Sequence, residues 1–203
     1  MNATESRSAW PLIWINGFPG TSKYRIAKLT ATLLSDGDPL LIHNHSLIDP
    51  VDARYSRDHP DYQQERRRGR EAVFKSRVED PAFRARIIIF TDFQSNNDLG
   101  RDVAREYEAA ALRAKRSFLP VYLECDVKEN IRRVTSLERG SSATTKLLNP
   151  EILVDMRSRC QLFHFDSVEG ITFDVTDMGP EEAAEALARE VKRVISDMGK
   201  HQR

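Results

Sequence analysis

The segment LIWINGFPGTSKYR, residues 12 to 25, constrains the fold more than any other part of the chain. An apolar run of the length of one buried strand ends in a Gly-Phe-Pro-Gly turn, and a helix-forming stretch with a lysine follows. A strand that passes through such a turn into a helix points successive backbone N–H groups toward one place, where the helix N-terminus adds about half a positive charge. The segment therefore predicts an anion-binding turn.

Short apolar runs alternate with helix-period segments in the rest of the chain, which is typical of a parallel sheet covered by helices. Most of these runs are continuous rather than alternating, as expected for strands buried on both faces. We predict strands at 12–15, 39–44, 86–92, 118–125 and 171–175. We predict helices at about 22–35, 61–79, 97–116, 127–138, 150–160 and 180–198. The predicted fold class is α/β, a three-layer sandwich with a parallel sheet.

Length and composition limit the remaining possibilities. A chain of 203 residues is expected to form one domain over residues 1–203, with an insertion at 50–80 between the second and third strands. The 31 basic and 31 acidic residues balance, so no overall field attracts nucleic acid or a membrane surface. Cys125 and Cys160 are expected to be reduced thiols. With no apolar run long enough to span a bilayer and no leader pattern, we expect a cytoplasmic protein.

The residues of the turn have distinct predicted roles. Gly17 and Gly20 allow the turn and the close approach of phosphate oxygens. Pro19 stiffens the loop, which lowers the entropy lost when the loop closes over a ligand. Lys23 can reach the β- and γ-phosphates of a nucleotide as a point charge. Together they predict a site for a nucleoside triphosphate.

Two positions depart from the phosphate-loop pattern G-x-x-x-x-G-K-[ST]. Ser22 replaces the second glycine, which costs on the order of 1–3 kcal/mol if that position is left-handed, although its hydroxyl can donate to phosphate. Tyr24 follows the lysine, so direct coordination of magnesium by a loop hydroxyl is lost. Thr21 or Ser22 can cap the helix that follows. The alternative interpretation is a structural strand–helix turn with a solvated lysine.

The stretch GFPGTSKYRIA resembles the G-x-P-G-x-G-K-G-T-Q-A loop of adenylate kinase and other nucleoside monophosphate kinases. In that family a glycine follows the lysine and the hydroxyl comes one position later, so Arg25 is the more serious departure. The chain is more similar still to fungal ATP-dependent kinase-like proteins, whose loops usually resemble GFPGVGKLTIA. The matching stretches are NH-LIDP at 44–50, TDFQS at 91–95, VYLECD at 121–126 and TTKL at 144–147.

This resemblance spans nearly the whole chain and implies a P-loop kinase-like protein that uses ATP and Mg²⁺ and acts on a small-molecule acceptor. Some of the similar fungal proteins are encoded beside secondary-metabolite genes. The predicted nucleotide-binding residues are those of the loop and one arginine that precedes the polar segment 136–150. They are Gly17, Phe18, Pro19, Gly20, Thr21, Ser22, Lys23, Tyr24 and Arg132.

Two aspartates follow predicted strands, at the sheet edge where ligands bind in open parallel sheets. In similar kinases an acid after the second strand accepts the proton of the substrate hydroxyl or helps to hold magnesium, so Asp49 is the candidate base; the alternative is a helix cap before Pro50. Asp92 lies where a Walker-B-type acid orients hydrated magnesium; the alternative is a turn-forming aspartate. The nearby pair His43 and His45 suggests a metal site but lacks a convincing third ligand.

Residues 136–150, SLERGSSATTKLLNP, are small and polar with little apolar periodicity. Phosphoryl transfer needs cations around the transferred group, commonly supplied by a closing lid that excludes water. We predict that this segment is a short lid, with Arg139 as the catalytic cation and Lys146 as the second candidate. An ordinary solvated loop is the alternative.

The predicted helix at 61–79 carries four arginines close together. Glutamates surround them, as on a solvated helix face. The position of the insertion matches the substrate-binding region of monophosphate kinases, so one or more of the four can alternatively contact an anionic acceptor. The four are Arg66, Arg67, Arg68 and Arg70.

Three functional hypotheses follow. The first is an ATP-dependent phosphotransferase acting on a small metabolite, with no nucleic-acid or membrane partner. The second is an impaired nucleotide-binding pseudokinase that works through protein contacts, motivated by Ser22 and Arg25. The third is a nucleotide hydrolase in which Gln94 orients water. The kinase hypothesis agrees with the fold, the loop and the lid, whereas the acceptor and the oligomeric state are not predicted.

Overall fold

The computed structural model describes residues 9–135 and 149–200. Its centre is a five-stranded sheet in the order β2-β3-β1-β4-β5, and all four pairs of neighbouring strands are parallel. The strands are β1 (Ala9–Gly17), β2 (Leu40–His43), β3 (Ile88–Asp92), β4 (Arg116–Glu124) and β5 (Ile171–Asp174). Each one overlaps a predicted strand, so the prediction of a parallel α/β sheet is confirmed.

Seven α-helices lie among the described residues. They are α1 (Lys23–Leu33), α2 (His45–Asp52), α3 (Tyr62–Val73), α4 (Asp98–Arg113), α5 (Val127–Thr135), α6 (Pro150–Arg159) and α7 (Pro180–Lys200). Six of them were predicted, and α2 was not. Helix α3 continues into one π-helical turn, Phe74–Val78, which belongs to the predicted insertion. No helix in the described ranges is long and apolar enough to cross a membrane.

Helices cover both faces of the sheet and form two hydrophobic clusters. On one face, Ile13 and Ile15 of β1 pack with α1 and with Leu187 of α7. On the other face, Leu12 and Trp14 of β1 pack with α4 and with the π-helical turn. Alternate residues of one strand therefore enter opposite layers, which makes the fold a three-layer sandwich.

Arg116, the first residue of β4, stabilises the side of the sheet where the strands begin. Its side chain is buried and donates hydrogen bonds to the carbonyl oxygens of Trp10, Val78, Phe83 and Arg86 at 2.6–2.9 Å. Burial lowers the pKa of its guanidinium to about 10. These bonds hold the chain that follows α3 at the side of the sheet where the strands begin. The candidate site lies at the opposite side, where the strands end.

Candidate functional site

The strand order places the turn after β1 between the ends of β3 and β4. Asn16 pairs in register with Asp92, and Gly17 with Leu123. The buried Asn16 amide donates to the carbonyls of Gln94 and Phe163, both at 3.0 Å, and its oxygen accepts from the Gln94 N–H at 2.8 Å. Asn16 thus joins three segments at the floor of the site. Sequence analysis did not identify it, although a polar residue that ends a buried strand is a signal.

The phosphate loop, residues 17–23, has the backbone that its pattern requires. Ser22 has φ 60° and ψ 16°, so the left-handed conformation considered for this position is present. Ser22 occupies the N-cap position of α1, but its side chain makes no capping bond, and the Thr21 hydroxyl instead donates to the Phe18 carbonyl at 2.9 Å. The predicted capping by Thr21 or Ser22 is therefore wrong. The first turn of α1 contains no acidic residue, which leaves its positive end available to an anion.

The side chains of Lys23, Tyr24 and Arg25 have three different partners. The Lys23 ammonium donates to the Phe18 carbonyl at 3.2 Å, so it lies across the phosphate loop. Tyr24, 42% exposed, packs its ring edge on His43, with ring centroids 4.9 Å apart. Arg25 forms an exposed ion pair with Glu181 of α7 at 2.6 Å. Tyr24 and Arg25 thus each have a partner outside the phosphate loop.

Helices α5 and α6 support the phosphate loop from behind. The Asn130 amide donates to the Pro19 carbonyl at 2.8 Å, and its oxygen accepts from Arg157 at 2.9 Å. The Arg157 guanidinium lies over the Phe18 ring, 4.6 Å from its centroid. At Gly20, with φ 95°, a Cβ would come within 2.3 Å of the Asn130 nitrogen, so only glycine fits. Sequence analysis did not find Asn130 or Arg157.

Asp92 ends β3 beside the loop and is buried. One carboxylate oxygen accepts from the Phe93 N–H and the other from the Gln94 side-chain amide, both at 2.8 Å. Burial raises the pKa of the nearby Tyr107 well above its usual value, so the phenol stays protonated. The carboxylate is therefore held in place by two donors. The Gln94 amide is occupied by this contact, which does not favour the hydrolase hypothesis.

Asp49 lies inside α2, where its Oδ1 is 3.2 Å from Nδ1 of His45. His45 lines the cleft described below, whereas Asp49 is not one of the residues that line it. His43 ends a strand whereas His45 begins a helix, so the two imidazoles do not project from one strand face. Among the described residues, no group of three or more His, Cys, Asp or Glu side chains could hold a metal ion.

The predicted lid is mostly outside the described residues, and so are Arg139 and Lys146. Its last two residues, Asn149 and Pro150, begin α6, and the Asn149 oxygen accepts from the Glu151 N–H at 2.8 Å.

Arg132, the predicted nucleotide contact near the lid, is exposed and lines the cleft while bonded to Glu129 at 2.6 Å. The hydrogen bond from Arg132, and to a smaller extent the one from Arg133, lowers the pKa of Glu129 to about 2.

One cleft of about 1510 Å³ connects these parts. One half is formed by the phosphate loop, α5 and the segment between β5 and α7. The other half is formed by α2, α3, the segment from the end of β3 to the first turns of α4, and the start of α6. The second half contributes Asn44, His45, Ile48, Arg57, Gln63, Arg66, Arg70, Asp92, Phe93, Gln94, Leu99, Val103, Asn149, Ile152 and Met156. The cleft therefore offers room for two ligands next to the phosphate loop.

Known kinases share this architecture. A candidate kinase from Chloroflexus aurantiacus superposes with a TM-score of 0.66 at 16% identity, over 95% of this chain and 99% of that chain. A gluconokinase from Sinorhizobium meliloti gives 0.58 at 15% identity, over 94% and 98%. The APS kinase from Mycobacterium tuberculosis, whose structure contains AMPPNP and APS, gives 0.55 at 14% identity, over 91% and 98%.

At these identities the likeness establishes the fold, which is that of the P-loop kinases. No protein-family model matches the chain, and no curated protein sequence does.

Proposed function

We propose that the protein is an ATP-dependent phosphotransferase that acts on a small-molecule acceptor. The observation that carries this proposal is the Lys23 ammonium, which lies across a left-handed glycine turn at the start of α1 with the Asp92 carboxylate beside that turn. The P-loop kinase fold supports it. A cytoplasmic location, and the place in secondary metabolism that the fungal resemblance implies, belong to the same proposal.

The residues present fit a magnesium–nucleotide complex. The loop N–H groups, Lys23 and the acid-free first turn of α1 suit the phosphates. Asp92 offers carboxylate oxygens, the ligands that Mg²⁺ prefers. The ion would neutralise charge on the phosphates. Because Tyr24 cannot replace the loop hydroxyl, Asp92 is the residue of this site that would hold the hydrated ion.

The transfer itself forms one bond and breaks one. The acceptor hydroxyl oxygen bonds to the γ-phosphorus of ATP while the bond from that phosphorus to the β,γ-bridging oxygen breaks, and ADP leaves. The hydroxyl proton passes to His45, whose other ring nitrogen contacts Asp49, so Asp49 acts through the imidazole. Lys23 stabilises the charge that develops on the phosphates, and Arg139 is proposed to do so from the lid.

Calorimetric titration of ATP, with and without Mg²⁺, tests the proposal. We expect the wild type to bind MgATP with a dissociation constant near 1 μM, and Lys23→Ala to weaken binding by about tenfold or more. Lys28→Ala, on the exposed face of the same helix, is the matched control and should bind like the wild type. Equal affinities for Lys23→Ala and Lys28→Ala would show that the loop does not hold the phosphates.

The pseudokinase is the second candidate, and the left-handed Ser22 is the observation that favours it. The double substitution Ser22→Gly and Arg25→Thr restores the kinase pattern. If it raises the affinity for MgATP by about a hundredfold, the native site is impaired and the pseudokinase is correct. Unchanged affinity would show that the native residues are tolerated and would support the kinase.

A further inference from the structure

The second half of the cleft, formed by α2, α3, α4 and the start of α6, contains three arginines, which differ in their partners. Arg57 pairs with Asp52 at 3.1 Å, and Arg70 makes a two-pronged bond to Glu106 at 2.7 and 3.1 Å. Arg66 has no carboxylate within 4 Å among the described residues. Its Nη1 donates to the Tyr62 hydroxyl at 3.3 Å, and its buried Nε has no acceptor in the described part of the chain. Arg66 is therefore not bonded directly to a carboxylate in the described part of the chain, and it reaches the charge of Asp52 only through the Tyr62 hydroxyl, which accepts from Arg66 and donates to Asp52.

An apolar wall, made of Phe93, Leu99, Val103, Ile152 and Met156, lines the same half of the cleft. Leu99 and Ile152 are each 49% exposed although both are large aliphatic residues. Apolar surface of this kind, gathered in a concave site beside a few polar groups, is the usual composition of a pocket for a small organic ligand. The apolar wall can stabilise a ligand only by removing hydrocarbon from water.

Helix contacts place Arg66 next to the apolar wall. Arg70 bonds to Glu106, and later on both segments Glu79 bonds to Arg113, so α3 and α4 run side by side in the same direction. One turn earlier on each helix stand Arg66 and Val103, and both line the cleft. One corner of the site thus combines a guanidinium with aliphatic surface.

The other end of the apolar wall adjoins the phosphate loop. The Phe93 ring packs on Phe18 of the loop, with centroids 5.0 Å apart, and Arg157 of α6 lies over the same Phe18 ring. Helix α6, which carries Ile152 and Met156, therefore contacts the same loop residue as Phe93 does. A ligand lying along the apolar wall would extend from Arg66 toward the place where the phosphate is transferred.

We propose that the acceptor is an amphiphilic anion. A carboxylate, sulfate or phosphate group binds Arg66, and an apolar body lies against Leu99, Val103 and Ile152. The inference rests on the proposed function, because it assigns the acceptor class of that same cleft. A fully polar acceptor would leave the apolar wall in water, and an uncharged one would leave the Arg66 guanidinium without a directly bonded anion. At about 1510 Å³ the cleft exceeds the roughly 300–1,000 Å³ of a single-ligand pocket, which leaves space for this acceptor beside a nucleotide.

Two fluorescent probes separate the charge from the apolar body. 8-Anilinonaphthalene-1-sulfonate carries aromatic rings and an anionic group, and N-phenyl-1-naphthylamine carries the same rings without the charge. We expect Leu99→Gln to weaken the binding of both probes about fivefold. We expect Arg66→Gln to weaken the sulfonate about fivefold and to leave the uncharged probe unaffected.

Matched variants control for binding elsewhere on the surface. Leu112→Gln removes a leucine from the same helix as Leu99, 67% exposed and outside the cleft. Arg68→Gln removes an exposed arginine that is on the same helix as Arg66 and is paired with Glu65. Both controls should bind each probe like the wild type. Circular dichroism of every variant checks that it is folded.

The inference is overturned if Leu99→Gln binds the sulfonate as the wild type does, or if the two controls weaken it equally. It is also overturned if Arg66→Gln weakens both probes alike, because the charge would then have no role. Calorimetry with MgATP on the wild type reports the proposed function separately. If the wild type binds MgATP but the variants do not change probe binding as expected, only the proposed acceptor class is rejected. If probe binding changes as expected but MgATP does not bind, the proposed kinase function is rejected.

Discussion

The side-chain amide of Asn130 donates a hydrogen bond to the backbone carbonyl of Pro19 over 2.8 Å, joining the phosphate loop to a helix 111 positions further along the chain. Asn130 is fully buried, and its oxygen accepts from Arg157, which also lies over Phe18. The shape of the phosphate loop is therefore fixed by tertiary contacts as well as by its own glycines.

Asn130→Ala should destabilise the protein by about 1–3 kcal/mol, because it leaves the half-buried Pro19 carbonyl and the Arg157 guanidinium without their partner. It should also weaken MgATP binding, since the loop is no longer held. Urea unfolding and calorimetry measure the two effects. Lys128→Ala, exposed on the same helix, should change stability by less than about 0.5 kcal/mol. An Asn130→Ala variant as stable as Lys128→Ala would mean that the contact does not support the loop.

Ser22→Gly should raise the free energy of unfolding by about 1 kcal/mol, because a non-glycine residue at φ 60° is strained. Lys115→Gly relieves a similar strain at φ 53°, far along the chain from the loop, and should stabilise by a similar amount without altering MgATP affinity. Thermal and urea unfolding of the two variants provide the comparison. A loss of stability in Ser22→Gly alone would indicate that the serine side chain makes a stabilising contact.

Asp92→Asn should reduce the gain in ATP affinity that Mg²⁺ provides by about tenfold, because an amide is a poorer ligand for a hydrated divalent cation than a carboxylate. ATP titrations with and without Mg²⁺ give the gain for each protein. Asp36→Asn changes an exposed aspartate of the turn after α1 and should keep the full gain. If Asp92→Asn keeps it as well, the metal role of Asp92 is wrong.

Glu129 should make stability depend on pH in the acid range. Its folded pKa is about 2, below the unfolded value of about 4.3, so its ionised form stabilises the fold above the unfolded pKa and the contribution is lost as the pH falls through the folded one. The difference in free energy of unfolding between wild type and Glu129→Gln should be full at about pH 7 and should shrink below about pH 4. Urea unfolding across this range measures it.

The control is Glu185→Gln, an exposed position on α7. Its difference from the wild type should stay small and constant with pH. A pH-independent difference for Glu129→Gln would show that its ion pairs with Arg132 and Arg133 add no stability.

The strands could be predicted because burial on both faces requires continuous apolar runs, as in Ile88, Ile89 and Phe90. Helix α2 could not, because Pro50 lies inside it and proline normally ends a helix. Tertiary burial of Leu47 and Val51, one turn apart, outweighs that local preference. Asp49 consequently lies within a helix instead of at its start.

The phosphate loop could be predicted because its chemistry is local, from Gly17 to Lys23. Its supports could not, since each is a contact between distant positions. Asn16 bonds to Phe163 across 147 positions, and Arg25 bonds to Glu181 across 156. From the sequence Arg25 is only a departure from a pattern, and its partner becomes visible in the fold.

The position of β1 in the middle of the sheet has a consequence for synthesis. Its neighbours are β3 and β4, and the first residue of β3 is made roughly 70 residues after the last residue of β1. At about 5–20 residues per second, a strand as apolar as β1 waits roughly 4–14 seconds beside the ribosome with no sheet to join. During translation the segment that later carries the phosphate loop is therefore exposed before either neighbouring strand has been made.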